Sequence, residues 1–158
     1  MISLSAINGL RISEALGAAV DDLGLERGHR TLTVRRKGGK VVTIPLAPRT
    51  ARAIDLAIGE RLDGPIFLRG DGQRMDRHSA GRIVRRVARR TGLAKKISPH
   101  TLRHAFITAA LDAGVPLREV QEPPPTPTHA PPGATTADES LDRHATYIVA
   151  AYLAGAAR

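Results

Sequence analysis

The sequence predicts a mainly α-helical chain with a small antiparallel β-hairpin or sheet, an α+β class. Most of the 158 residues fall into segments whose apolar residues recur at helical spacing. Only residues 31–45 pair two β-rich runs across a glycine turn. The chain has the length of one domain, and 42% hydrophobic residues are enough for a core. Because aromatic residues make up only 3%, Leu, Ile, Val and Ala must fill that core.

The elements follow from local signals in chain order. Residues 3–18 have a helical composition that Asn8-Gly9 interrupts. Strands at 31–35 and 41–45 flank the turn at Gly38-Gly39. Further helices are predicted at 48–62, 76–93, 100–113 and 116–121, with a short strand or extended segment at 65–68. A closing helix follows at 140–156, with Ser140 as its N-cap.

A proline-rich tract divides the chain into three parts. The stretch "EPPPTPTHAPPGATTAD" (122–138) contains six of the 11 prolines and lies between two helical segments. We therefore expect a domain at 1–122, a disordered Pro/Thr-rich segment at 123–139, and a C-terminal helix of the same domain at 140–158.

The composition points to an anionic partner. Net charge is +9, and the basic residues cluster in "RRKGGK" (35–40) and "GRIVRRVARRTGLAKK" (81–96), which favours nucleic acid. The absence of cysteine excludes disulfides and thiolate metal sites. No signal peptide is visible, and the longest apolar run is too short to cross a bilayer. We expect a cytoplasmic protein with no membrane partner and no cofactor.

Three segments contain residues suited to phosphate chemistry. "NGLRISE" places Arg11 at the start of a helix, and the hairpin tip places Lys37 beside two glycines. "SPHTLRHAF" places His100, Arg103 and His104 at i, i+3 and i+4 near a helix N-terminus, which favours anions. Each segment alone is typical of solvated surface residues. The occurrence of all three in this order is a much more specific indication of phosphate chemistry.

The run "GLRISE … RRKGGKVVTIPL … PHTLRHAFITAALDAGVPLREVQ" resembles the catalytic domain of tyrosine recombinases, the phage-integrase family. The resemblance covers almost all of residues 6–122, and the closing helix fits it too. It implies the tyrosine-recombinase catalytic-domain fold. It also implies DNA strand breakage and rejoining, in which a tyrosine hydroxyl forms a 3′-phosphotyrosine and releases a 5′-OH without a metal. Protein cations must then neutralise the charge that develops on the phosphate oxygens.

The resemblance also assigns the site residues. Arg11 and Arg103 match the arginines that clamp the phosphate. Lys37 matches the hairpin lysine that protonates the leaving 5′-oxygen, with Lys40 as the alternative if the turn register slips. His100 matches the general acid/base.

Two further residues match supporting positions. Glu14 matches the acidic residue that supports the first arginine. For His104 we expect a packing role, or a contact that supports a neighbouring catalytic residue, rather than chemistry of its own.

Two residues of the family pattern are missing. A His or Trp is expected about 23 residues after the second arginine, and the nucleophilic Tyr about nine further on. These positions hold Thr126 and Thr135. Because threonine is a much poorer leaving group than a phenol, we predict an impaired or inactive enzyme. Tyr147 and Tyr152 are alternative nucleophiles, but both are expected to pack within the closing helix.

A shifted reading frame explains the tract. If residues 123–137 are translated one base out of frame, the genetic code permits the original "AASHADPRTTRRYDR". That string has a histidine at position 126 and a tyrosine at position 135. The alternative is a genuine proline-rich loop, and the coding DNA decides between the two.

These observations favour a fragment of an integrase from a phage or mobile element. We expect such a fragment to lack the N-terminal DNA-clamping domain and the first part of the catalytic domain, and to bind DNA without cleaving it. One alternative is a non-catalytic DNA-binding or interaction protein that modulates an intact recombinase, docking other protomers through the C-terminal helix. Another is a decaying gene product.

Overall fold

The computed structural model describes residues 1–36, 38–93, 95–117, 120 and 144–156. Its helices and strands are α1 (Ile2–Ala6), α2 (Ile12–Gly17), β1 (Leu23–Glu26), β2 (His29–Arg35), β3 (Val41–Pro45), α3 (Pro48–Ile58), α4 (Arg77–Arg90), α5 (Pro99–Asp112) and α6 (Ala145–Ala156). A 3₁₀ turn at Val20–Asp22 joins α2 to β1. The predicted class, mainly helical with a small antiparallel sheet, is confirmed.

The sheet has three strands in the order β1-β2-β3, whereas the sequence predicted the β2–β3 hairpin alone. The added strand β1 is antiparallel to β2. A two-residue turn joins the two strands between the paired residues Glu26 and His29. Both turn residues, Arg27 and Gly28, have positive φ, at 50° and 84°. Two successive residues with positive φ match the twist of a tight hairpin. Because arginine is rare at such a position, the sequence did not reveal this turn, and β1 escaped prediction.

The predicted hairpin is confirmed almost to the residue. Its strand β3 begins and ends where the sequence indicated, and β2 begins two residues earlier. Alternate side chains of both strands are buried: Leu32, Val34, Val42 and Ile44. This period of two directs one face of the sheet into the core.

The apolar core has two parts. The first lies between the sheet and helices α1 to α4, and its fully buried side chains are Leu4, Leu10, Leu32, Ile44, Leu46, Ile54 and Ile66. The second joins α5 to α6 through Phe106, Ala109, Ala110, Val115, Val120, Ala145 and Val149. Because α5 also packs on α1, it connects the two parts.

Residues 65–68, predicted as a short strand or extended segment, form an isolated bridge at each end rather than a strand. Pro65 pairs with Ala19, and Leu68 pairs with Arg74. The second bridge brings the Arg74 side chain to the end of α2, where its Nη1 donates to the carbonyls of Leu16 and Gly17, both at 2.8 Å. Arg74 therefore satisfies carbonyl groups that a helix end leaves without partners.

Replacing Arg74 with glutamine is expected to lower the free energy of unfolding by about 1 to 2 kcal/mol, because the shorter amide cannot reach both carbonyls. Chemical denaturation measures the change. Arg77→Gln removes the same charge from an exposed position at the start of α4 and should leave stability unchanged. Equal losses in the two variants would show that net charge, rather than the contact with α2, is responsible.

Several predictions fall outside the described residues. They are the Pro/Thr-rich segment at 123–139, both boundaries of that segment, and the N-cap at Ser140. Within the described part of the chain, no helix is long and apolar enough to cross a membrane.

Candidate phosphate-binding site

The site begins where α2 starts, at Arg11. One carboxylate of Glu14 accepts two hydrogen bonds from this residue: Oε2 from the backbone N–H and Oε1 from Nη1, both at 2.8 Å. The Glu14 side chain is 5% exposed and the Arg11 side chain is 53% exposed. The buried Glu14 carboxylate thus accepts from a backbone N–H that has no partner within the helix. It also holds in place the guanidinium group of Arg11, which faces solvent.

Gly9 connects this helix start to α5. Its φ of +66° lies in the left-handed region, and a Cβ built there would come within 2.5 Å of Cδ1 of Phe106. The Gly9 carbonyl accepts a hydrogen bond from Nη1 of Arg103. Glycine is required here because the backbone both turns and lies directly on the Phe106 ring.

Arg103 lies at the centre of a group of charges. Burial, and then the nearby positive charge of Arg11, lower the pKa of the Arg103 guanidinium, whereas Glu14 raises it and Arg36 lowers it. Two further guanidinium groups and one carboxylate therefore act on the charge of Arg103, and positive charge is in excess. Such a site favours an anion with several oxygens.

The structure thus brings together Arg11, Glu14 and Arg103, which the sequence singled out, and adds Arg36. The sequence marked Arg36 only as a member of the basic cluster at 35–40. The sequence feature that could have pointed to Arg36 is its position directly after β2, beside the glycine turn. Because the packing of distant elements decides that Arg36 acts on Arg103, the local sequence could not reveal it.

His100 and His104 form a pair on the first turns of α5. Their Nε2 atoms lie 2.7 Å apart, with one ring edge-on to the other, so that one nitrogen donates and the other accepts. Both rings are exposed. His104 was expected to pack or to support a neighbouring catalytic residue, and its exposed ring contacts His100, so the supporting role stays a prediction. The helix begins at Ser98, whose Oγ accepts from the Thr101 N–H at 3.2 Å.

Only one of the other predicted cationic site residues lies within the described part of the chain. Lys37, Thr126 and Thr135 lie outside the described residues. Lys40, the alternative to Lys37, is exposed, and its carbonyl accepts from the Arg36 N–H at 2.7 Å at the base of the turn. Among the residues that the structure describes, no group of three metal-binding side chains occurs.

The two tyrosines of α6 differ. The Tyr147 hydroxyl lies 2.8 Å from Nδ1 of His29 at the start of β2, and the two rings pack at a tilt. Tyr152 was expected to pack as well, but it is 42% exposed. Five helical residues turn by about 500°, so Tyr152 lies about 140° around the helix from Tyr147, on the outer face.

The start of α6 packs against the loop between α1 and α2, which also carries Gly9. Buried Asn8 donates from Nδ2 to the Pro45 carbonyl at 2.9 Å and to Oγ1 of Thr146 at 3.3 Å. The fully buried Val149 packs with Phe106 of α5. These contacts place the described part of the C-terminal helix on its own chain, next to the loop that carries Gly9.

His144 precedes α6 and accepts from the Thr146 N–H through Nδ1 at 3.2 Å. Burial, and then the charge of Arg36, lower the pKa of His144 to about 4. Because Nδ1 must stay unprotonated to accept this bond, the neutral ring is the form that caps α6.

This lowered pKa predicts acid sensitivity. The folded state resists protonation until about pH 4, whereas the unfolded chain binds the proton near pH 6.5. Stability is therefore fully present above pH 6.5 and falls as the pH drops toward 4, by up to about 3 kcal/mol. Denaturant unfolding at a series of pH values measures the loss. His144→Asn keeps an acceptor for the Thr146 N–H, so its profile should be flatter in this window. Identical profiles would contradict the assignment to His144.

Comparison with known proteins places this geometry in a family. The model of the phage integrase family matches residues 1–123. The tyrosine recombinase XerC of Pelobacter propionicus is 43% identical over 119 residues, covering 73% of this chain and 39% of that protein. The chain thus spans about two-fifths of the length of this relative.

Two solved structures are also similar. The integrase from mycobacterium phage Brujita shares 29% identity with a TM-score of 0.68, covering 94% of this chain and 50% of that one. The XerH site-specific recombinase bound to its difH substrate, in a pre-cleavage complex, shares 25% identity with a TM-score of 0.64, covering 77% of this chain and 37% of that one. The structure also connects Arg11 and Arg103 through the Gly9 loop. Because the family model matches most of this chain, the chain belongs to the phage integrase family.

Proposed function

We propose that this chain binds a DNA phosphodiester through Arg11 and Arg103 but does not break it. The observation that carries the proposal is the hydrogen bond from Arg103 to the Gly9 carbonyl, two residues before Arg11, together with the lowering of the Arg103 pKa by the charge of Arg11. Two guanidinium groups held in this way can bind the non-bridging oxygens of one phosphate. The net charge of +9 supports an extended anionic partner.

The remaining roles follow the family chemistry. His100 serves as general acid/base, with His104 fixing its ring through the short contact between the two Nε2 atoms. Lys37, or Lys40 in its place, protonates the departing 5′-oxygen. Glu14 holds Arg11 in position through its two hydrogen bonds.

The missing step is the attack on phosphorus. In the family reaction a tyrosine oxygen bonds to phosphorus, the bond to the 5′-oxygen breaks, and that oxygen takes up a proton. Thr135 stands at the expected tyrosine position, and its aliphatic hydroxyl is a poor nucleophile and a poorer leaving group. Tyr147 does not replace it in this proposal, because its hydroxyl already bonds to His29.

The alternative is docking onto a second recombinase protomer through the C-terminal helix. This helix already buries Ala145 and Val149 against α5 of its own chain, which does not favour the alternative. We therefore propose DNA, rather than another protomer, as the main partner.

Trapping of covalent adducts tests the proposal. The chain is incubated with nicked duplexes of randomised sequence, and DNA that stays attached to protein after denaturation is measured. We expect none for the unaltered chain. A repaired chain, in which residues 123–137 read "AASHADPRTTRRYDR", should form the adduct.

Two controls sharpen the result. Arg11→Ala in the repaired chain should abolish the adduct while the chain stays folded, as circular dichroism can check. Thr135→Phe, with the rest of the segment repaired, should abolish it as well. An adduct from the unaltered chain would overturn the predicted inactivity, and an adduct that survives loss of Arg11 would overturn the clamp.

A further inference from the structure

Two histidines lie one helical turn apart at the start of α5. His100 and His104 stand at i and i+4, and their Nε2 atoms lie 2.7 Å apart. The ring centroids are 4.2 Å apart, and one ring meets the other edge-on. Because residues four apart share one face of a helix, the backbone of α5 keeps both imidazoles close together. We call these two exposed residues the α5 histidine pair.

The distance between the two nitrogens suits a shared metal ion. Imidazole nitrogen is the commonest metal ligand in proteins, and it suits Cu²⁺, Ni²⁺ and Zn²⁺. With a metal–nitrogen bond of about 2.0 Å, two nitrogens bound at a right angle lie about 2.8 Å apart, and two at the tetrahedral angle lie about 3.3 Å apart. The observed 2.7 Å is close to the first value. A right angle is typical of square-planar or tetragonal Cu²⁺ and Ni²⁺ sites, whereas structural Zn²⁺ sites are tetrahedral.

Both rings of the pair can act as ligands at once. Both side chains are exposed, so each ring can turn until its Nε2 lone pair faces the ion. Without an ion, one Nε2 donates a hydrogen bond to the other. When the ion binds, the donor ring carries its proton on Nδ1 instead, so that both Nε2 atoms become ligands. Water completes the coordination, because no group of three metal-binding side chains occurs among the residues that the structure describes.

The other histidines of the described residues are placed differently. The Nδ1 atoms of His29 and His144 both contact residues of α6. His78 is exposed near the start of α4. His78 is therefore an exposed imidazole outside the α5 histidine pair, and it can serve as a control for metal binding by a lone histidine.

We propose that the α5 histidine pair binds Cu²⁺ or Ni²⁺. The start of α5 carries the positive end of a helix dipole, and Arg103 precedes His104 in the chain, so local charge opposes a cation. Mg²⁺ and Ca²⁺ are therefore disfavoured, since these ions also prefer oxygen ligands. Cu²⁺ and Ni²⁺ bond to nitrogen strongly enough to offset the repulsion, and Cu²⁺ forms the stronger bonds of the two.

The test compares four chains at one neutral pH: the unaltered chain, His104→Gln, His78→Gln and His104→Gln/Ala105→His. The double variant keeps the number of histidines but moves one ring to i+5, another exposed position of α5 that does not face His100. Each chain is titrated with Cu²⁺, Ni²⁺ and Zn²⁺ by calorimetry in a buffer that does not bind metals. The unfolding temperature is measured with and without each ion.

We expect the unaltered chain and His78→Gln to bind Cu²⁺ about 10- to 100-fold more tightly than the two variants that break the pair. Because only folded α5 holds the two rings together, Cu²⁺ and Ni²⁺ should raise the unfolding temperature of the first two chains and that of the other two much less. Equal affinities in all four chains would overturn the proposal. So would tighter binding of Zn²⁺ than of Ni²⁺, since the right-angle geometry would then be wrong.

An ion at this place also affects the proposed reaction. It occupies a nitrogen of His100, the proposed general acid/base, so Ni²⁺ should inhibit adduct formation in the repaired chain and a chelator should restore it. This inhibition rests on the proposed function, whereas binding of the ion does not. If Ni²⁺ binds the pair but the repaired chain forms no adduct, the proposed function fails and the metal site stands. If the adduct forms but Ni²⁺ binds all four chains equally, the metal site fails and the proposed function stands.

Discussion

Gly9→Ala is expected to lower the free energy of unfolding by about 2 to 6 kcal/mol, a large part of the stability of most domains. Two costs add together. The φ of +66° strains any residue with a Cβ, and that Cβ would overlap the ring of Phe106. The displaced loop would also carry the Gly9 carbonyl away from Arg103, so we expect DNA binding to weaken in whatever fraction remains folded.

Gly28→Ala is the matched control. Gly28 has a φ of +84°, but a Cβ there would meet nothing within 4 Å. This variant therefore suffers the backbone strain alone, about 1 to 2 kcal/mol. Chemical denaturation of both variants isolates the contribution of the Phe106 contact. Similar losses would show that the ring moves aside freely.

A double variant tests the same contact from the other side. Phe106→Leu removes ring atoms near Gly9 and costs stability by itself. In the Gly9→Ala background it should cost less, because it relieves the overlap, so the two effects should not add. Strict additivity would contradict a direct clash between the two residues.

Glu14→Gln is expected to slow adduct formation in the repaired chain by about 10- to 100-fold, because the Arg11 guanidinium loses its anchor. The amide of glutamine can accept from the Arg11 N–H, but its NH₂ group cannot accept from Nη1. Reversible DNA binding should hardly fall, since one negative charge disappears from a cationic site. We expect stability to drop by only about 1 to 2 kcal/mol, because Arg11 is half-exposed.

Asp22→Asn provides the comparison for Glu14. Oδ2 of Asp22 accepts from the Ala19 N–H at 2.8 Å, much as Glu14 accepts from the Arg11 N–H, but no guanidinium of the described residues pairs with it. Its replacement should cost about 1 kcal/mol and leave the rate of adduct formation unchanged. If both variants slow the reaction equally, the general loss of a capping carboxylate, and not the orientation of Arg11, controls the rate.

Much of the fold could be predicted because its signals are local. The hairpin strands alternate buried and exposed side chains, and α4 and α5 begin at capping residues, Asp76 and Ser98, that accept from their own first turns. The strand β1 escaped prediction, since arginine is rare at the positive φ of the turn that joins this strand to β2. The exposure of Tyr152 was also missed, because packing between helices decides which helical face is covered.

The sequence by itself determined the class of fold, the order of the main elements and the phosphate-binding residue types, because periodicity, capping and motif spacing are properties of neighbouring residues. It also placed threonine at positions 126 and 135, where the family pattern has other residues. Only the tertiary structure decided that Arg103 reaches the Gly9 loop and that Arg36 joins the same cluster. Contacts between residues about 90 positions apart depend on how α2, the sheet and α5 pack together, and no local pattern encodes that packing.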